Sequence, residues 1–285
     1  MKTKQFLPIL GLMVLGLTMM MMGGCGTSYY DETSYEYPNW TPEGLIYCQK
    51  AVTHYRKEPM GTITLGTDYS YVTMDTDGDN EAILPYSSYP YFSPKGTYAA
   101  LISDETISIY KRADNSKVYE FSPTTESISS LDWGPDEARL VYLKNRGGIN
   151  VINIDGTGNL NIATSGEAVT WKYGTKIVFE YLDGLYTPTA IINIDGTGRT
   201  NLGDQSISSA TVSSIATNEI YGSAGNEYGY IDVNVATPQF HAKISNFRGY
   251  LPKINPGANK IVYGQFRSNG VWLINIDGSN IKQLK

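Results

Sequence analysis

The sequence predicts an all-β fold, a six-bladed β-propeller of four-stranded blades, on three observations. The heptapeptide INIDGTG stands at Ile152 to Gly158 and again at Ile192 to Gly198, with INIDGSN at Ile274 to Asn280. A second landmark, an aromatic or apolar residue followed by a Pro- or Gly-containing turn, recurs in step with it. Composition agrees: 23 Tyr and 29 Gly favour pleated strands and turns with positive φ.

The repeat sets the blade count. Asp77-Gly78, Asp155-Gly156, Asp195-Gly196 and Asp277-Gly278 are spaced so that two gaps are close to twice the third. Two copies have therefore lost the pair but kept their length, one at Asp114-Asn115 and one in DVNVATPQF. Six units of about 40 residues result, the period of stacked propeller blades. The second landmark places their boundaries near Trp40, Phe92, Trp133, Trp171, Val212 and Ile254. The first interval is longer than the others, which predicts an extra loop within AVTHYRKEPMG. An Asp-Gly between two alternating runs is a hairpin signal, because Gly takes φ > 0 without penalty. Strands such as GINVINID are apolar on both faces and need neighbours on both. The repeated turn is therefore read as scaffold. The chain is cut in phase with its repeat, so the ring is expected to close by packing of side chains between the first and last blades.

The N-terminal segment reads differently. Lys2 and Lys4 precede an apolar run from Phe6 to Met22, then Gly23, Gly24 and Cys25, the pattern of an export signal. The ending MMGGC resembles the lipobox of bacterial lipoproteins. That resemblance implies removal of residues 1–24 and attachment of acyl chains, palmitate among them, at Cys25. Gly26, rather than Asp, next to the Cys implies the outer membrane in a Gram-negative envelope. Residues 26–39 carry no aliphatic side chain and are expected to form a flexible tether from lipidated Cys25 to a propeller over 40–285. Their Tyr29, Tyr30, Tyr35 and Tyr37 offer the alternative that the segment packs on the domain or adds an edge strand.

The repeat wording carries a further likeness. FSPKGTYAALIS at Phe92 and WGPDEARLVYL at Trp133, the latter followed by INVINIDGTGNLNIA, resemble the TolB-type propeller repeat across residues 40–285. The resemblance implies the architecture and is nearly silent on activity. The Tyr-Trp-Thr-Asp strand of YWTD propellers is missing, as is the hydrolase domain of prolyl oligopeptidase-type peptidases.

Composition and motifs narrow the chemistry. Residues 1–24 hold two of the 22 basic residues and none of the 28 acidic ones, so the remainder carries about −8. That argues against nucleic acid and against electrostatic adhesion to anionic lipid. His54 and His241 are the only histidines and fall in different units, too few for a metal-dependent site. No G-x-S-x-G elbow occurs, and Cys48, in a predicted strand, reads as a small buried apolar residue. Asp75, Asp77 and Asp79 have the spacing that begins a calcium loop, but Asn80 and Tyr86 stand where its Gly and Glu belong. Asp77-Gly78 is read as the blade turn.

The sequence thus predicts a non-enzymatic, lipid-anchored interaction scaffold of the cell envelope, with no catalytic residues, metal or cofactor and with other envelope proteins as partners. The rival reading is a small ligand or glycan bound in the propeller channel, with weak hydrolase or lyase activity. Tyr91, Asp132, Thr170 and Lys253, on innermost strands, are the candidate channel or partner contacts.

Overall fold

A computed structural model describes residues 27–285 except 146, 172–173, 184–186, 203–206, 212–217, 234, 236–237 and 266–267. The segment read as an export signal, Cys25 and the boundary at Val212 lie outside the described residues. The chain divides into two compact units. Ser34–Lys50 with Ser70–Lys285 forms the propeller; Ala51–Tyr69 with the described residues up to Thr33 forms the other.

All six blades are four-stranded meanders of consecutive strands. Blade one is β1 (Ser28–Trp40), β2 (Ile46–Glu58), β3 (Gly61–Met74) and β4 (Ala82–Ile83). Blade two is β5 (Tyr91–Phe92), β6 (Tyr98–Ser103), β7 (Thr106–Lys111) and β8 (Ser116–Phe121). Blade three is β9 (Ile128–Trp133), β10 (Arg139–Lys144), β11 (Ile149–Asn153) and β12 (Leu160–Ala163). Blade four is β13 (Ala168–Trp171), β14 (Lys176–Glu180), β15 (Thr189–Asn193) and β16 (Thr200–Asn201). Blade five is β17 (Ser208–Thr211), β18 (Glu219–Ala224), β19 (Glu227–Asp232) and β20 (Phe240–Ser245). Blade six is β21 (Gly249–Ile254), β22 (Lys260–Gln265), β23 (Ser268–Asn275) and β24 (Lys282–Gln283).

Three expectations are corrected here. The landmarks Trp40, Phe92, Trp133, Trp171 and Ile254 end a strand before the turn, as read, but that strand is the first of its blade, so each blade begins before its landmark rather than at it. Most of the tether is strand: Ser28–Trp40 is β1, because its four Tyr, with Thr33 and Trp40, suit a pleated surface without aliphatic residues. The propeller unit accordingly begins at Ser34, not at residue 40. Finally, AVTHYRKEPMG is no loop. It continues β2 into a hairpin with β3 that turns at Pro59 and Met60, its Val, Thr and Tyr being strand formers.

The Asp-Gly turn joins the third and fourth strands of its blade. In blade three the Gly156 amide donates to Asn153 O at 2.9 Å, and the Asn153 amide to Thr157 O at 2.9 Å. Asp155 Oδ1 accepts from the Thr157 amide at 3.0 Å and its hydroxyl at 2.6 Å. Blades four and six repeat this with Asp195 and Thr197, and with Asp277 and Ser279. Gly78, Gly156, Gly196 and Gly278 have φ of 83°, 85°, 81° and 84°. Blade two manages the same bend with Asn115 at φ 55°, since Asn tolerates that region. In blade one, Asp75 accepts from the Asp77 and Asp79 amides through Oδ1 and from Asn80 through Oδ2, so its oxygens brace a turn.

These turns also reach the neighbouring blade. A Cβ on Gly156 would meet Phe121 of β8, one on Gly196 would meet Ile162 of β12, and one on Gly278 would approach Ile244 of β20. Gly78 faces Leu284 O in the same way, with 2.6 Å available. Blade one thus meets blade six through the same joint. Lys282 Nζ donates to Asp77 O at 3.0 Å and Oδ1 at 2.9 Å. Trp40, Ile46, Cys48, Val72 and Met74 pack with Val262, Val271 and Leu273, Leu284 beside them. The ring closes by side-chain packing, with no strand exchanged.

Aliphatic-rich clusters fill the joints between blades two and three, three and four, and four and five, and the joint between blades five and six mixes Ile with Tyr221, Tyr228, Phe247 and Tyr263. The joint between blades one and two is largely aromatic. Tyr47 packs against Tyr89 and edge-on against Phe92, and Tyr86 meets Phe92 and Tyr110. Arg112 seals it, forked onto Glu43 and 4.5 Å over the Phe92 ring.

Candidate functional site

A cavity of about 880 Å³ opens among blades one, two, three, four and six. Its walls come from the first strands of the blades. The aromatic landmark turns into the joint between blades, so alternation turns the residue before it to the channel. Tyr91, Asp132, Thr170 and Lys253 all hold that position, and all four line the cavity. Tyr47, Gln49, Tyr71 and Tyr89 extend the wall where blades one and two meet, and Pro42, Pro94, Pro135 and Pro256 rim it. A smaller cavity of about 290 Å³ shares Ser130, Thr170 and Lys253 and adds Glu180 and Ala210.

The polar groups of this ring are mostly engaged in joining blades. Asp132 Oδ1 accepts the Trp133 amide and Oδ2 the Trp171 amide, each at 2.8 Å, which ties blade three to blade four. Trp133 Nε1 donates to Tyr91 O at 2.8 Å, and Trp40 Nε1 to Lys253 O at 2.9 Å. Thr170 Oγ1 donates to Ala210 O at 3.0 Å. The four residues named from sequence line this cavity; Tyr47, Gln49, Tyr71 and Tyr89, which line it too, were not among them. Only the aromatic richness of the first two blades signalled them.

Electrostatics follow from enclosure. Burial pushes the Asp132 carboxyl up to about 6, against the two amides and the Lys253 charge, which pull it down. Lys253 is lowered by burial, while Asp132 and Glu180 favour its ammonium form. Burial likewise pushes the Tyr91 hydroxyl up to about 12 and holds Tyr47 and Tyr89 above the usual tyrosine range. These tyrosines stay neutral hydrogen-bonding aromatics.

Asp132 makes a testable contribution to stability. Its folded value stands above the unfolded one of about 3.9, so the folded state holds this proton more tightly. The contribution is full below about pH 4 and is lost as pH rises through about 6. The melting temperature of Asp132→Asn, which cannot titrate, should vary less between those limits than that of the wild type. Parallel curves would assign the dependence to other groups.

Other reactive side chains lie elsewhere. Cys48 is free and fully buried, its thiol pushed up to about 12 by burial, with the Glu81 charge adding to it. His54, in the unit containing Ala51–Tyr69, bonds Asp31 Oδ1 at 2.7 Å and Asp68 Oδ2 at 3.1 Å, and these contacts raise it. His241, on β20 of the propeller, stacks on Tyr230. Among the described residues no group of three or more His, Cys, Asp or Glu could hold a metal ion.

No family model matches the sequence, and no curated protein does. Among solved structures the chain is similar to one assigned as TolB from Agrobacterium tumefaciens, at 15% identity and a TM-score of 0.54. That match covers 72% of this chain and 82% of the other. It is also similar to an oligogalacturonate lyase in complex with manganese, at 9% identity and a TM-score of 0.56, over 91% of this chain and 84% of that one. At such identities the likeness shows the propeller fold alone.

Proposed function

We propose that this propeller is a non-catalytic binding module of the bacterial cell envelope, held on a membrane by acyl chains at Cys25. Its contact surface for an envelope protein is the aromatic cavity. One observation carries the reading: a large cavity walled by Tyr, Trp and Pro in which the one carboxylate among the described lining residues, Asp132, already serves two backbone amides. Tyrosine and tryptophan give large contact area at low cost in conformational entropy, which suits them to protein recognition. Asp132 has both oxygens engaged, Cys48 is buried as a thiol, and the two histidines lie on β2 and β20.

The test is photo-crosslinking in native membranes, with a benzophenone amino acid replacing Gln49 or Tyr91. A discrete adduct with another envelope protein is the expected result. Cys25→Ser should lose fatty-acid label and leave the membrane fraction; unchanged label and retention would sink the anchor.

Lys253 favours a second reading, a small anionic ligand or glycan in the channel. An ammonium whose charge is penalised by burial gains from an incoming anion, and the tyrosine walls suit a sugar ring. A thermal shift with acidic saccharides that vanishes in Lys253→Ala, with no protein adduct, would favour this reading over the first.

A further inference from the structure

The unit formed by Ala51–Tyr69 and the residues up to Thr33 has two unlike faces. Thr53 and Thr67 bond across β2 and β3 at 3.0 Å, and Tyr30 stacks on Tyr55 at 5.1 Å. With strand alternation, these contacts set Tyr30, Tyr55, Ile63 and Leu65 on one face, with Lys57 at its turn end and with Thr53, Thr67 and Glu32, which bonds Tyr55, at the end away from the turn. The other face carries His54 between Asp31 and Asp68, and the Arg56–Glu58 ion pair. Leu65 is 51% exposed and Met60, in the turn, is fully exposed. The turn-side end of the first face, Met60, Ile63 and Leu65, is apolar and exposed among the described residues, and such a patch calls for an occupant.

Chain geometry identifies the occupant. Tyr30 opposite Tyr55 and Asp31 opposite His54 fix β1 antiparallel to β2. Two residues back from Tyr30 is Ser28; two forward from Tyr55 is Lys57, next to the turn at Pro59 and Met60. Only Gly26 and Thr27 separate Ser28 from Cys25. Three residue steps span at most about 11 Å, so an acylated Cys25 lies within that distance of the strand end beside the turn. The polar layer over each bilayer surface is about 5–8 Å deep. The apolar patch and the lipid anchor therefore share one end of this unit.

From this we infer that the turn at Met60 and the face bearing Tyr30, Tyr55, Ile63 and Leu65 dock into the headgroup layer of the membrane that holds the acyl chains. The inference rests on acylation of Cys25, as proposed above. Tyr is a residue of membrane interfaces, and Lys57 can extend its ammonium to lipid phosphate while its stem stays apolar. The net negative charge outside the signal segment gives no general attraction to anionic lipid, so this contact is apolar and local.

The test uses the full-length, processed protein reconstituted in vesicles of phosphatidylethanolamine and phosphatidylglycerol. A bimane label is placed at Met60→Cys, Leu65→Cys or Thr64→Cys in turn. Cys48 is buried, and mass spectrometry of the mature N-terminus reports acylation of Cys25. A phospholipid spin-labelled near its headgroup should quench positions 60 and 65 at least threefold more than position 64, the neighbour of 65 on the opposite face. An acylated protein with equal quenching at 64 and 65, or with position 60 open to aqueous iodide, overturns the docking and leaves the anchor standing. An unacylated Cys25 overturns the anchor, and the docking with it. Positions 60 and 65 shielded from lipid and iodide alike, with dimers growing with protein concentration, would assign the face to a second copy and overturn the inference.

Discussion

Gly78→Val should lower the melting temperature further than Gly278→Val, although both glycines have nearly the same φ, 83° and 84°. Equal backbone strain of about 1–3 kcal/mol is expected at each. The difference lies in what the new side chain meets. At Gly278 the nearest atom is Ile244 Cγ2, 3.7 Å from a Cβ, which is ordinary contact. At Gly78 it is Leu284 O at 2.6 Å, a backbone atom of the segment that closes the ring. Overpacking there adds roughly another 1–3 kcal/mol. With each kcal/mol moving the melting point of a domain this size by about 2–4 °C, the two variants should be clearly resolved. Gly278→Asn should be mild, because Asn115 already makes the equivalent bend in blade two. Equal melts for Gly78→Val and Gly278→Val would show that the closing contact bears no strain. If the repeated turn were a ligand site, Val would leave the melts in place.

Trp133→Ala should cost a comparable amount, roughly 3–5 kcal/mol, by a different route. Trp133 is 2% exposed, packs with Leu131, Leu140 and Ile152, and stacks on Tyr98 with ring centroids 6.0 Å apart. Its removal opens a void between blades two and three and frees Tyr91 O, whose donor it is. Trp133→Phe separates these effects. It keeps most of the packing and leaves the carbonyl unpaired, for a cost of about 1–3 kcal/mol. Denaturant melts of the two variants check the partition, and equal losses would mean that packing contributes little at this joint. Tyr91 lines the cavity as well, so Trp133→Phe should also weaken crosslinking from position 49 while the domain stays folded.

The period of about 40 residues, the Asp-Gly turns and the apolar double-faced strands determined the six blades and their in-phase order from sequence alone. A local signal sufficed because each turn needs positive φ and each strand needs two buried faces, and both requirements leave a mark on residue type. Positions lining the channel were legible for the same reason: they sit one residue before a landmark that must be buried. What Asp132 does was not legible, since its two amide partners lie on adjacent blades and only the ring brings Trp171 to it. Residues 26–39 misled because strand propensity carried by Tyr and Thr resembles a polar linker when no aliphatic residue marks the core. The tyrosine cluster at blades one and two also waited on tertiary structure. Tyr47, Tyr71 and Tyr89 are separated along the chain, and aromatic residues carry no address for their partners. Which of the 23 tyrosines reach the cavity is decided by how two blades stack, because side chains on different strands meet only once the sheets are packed.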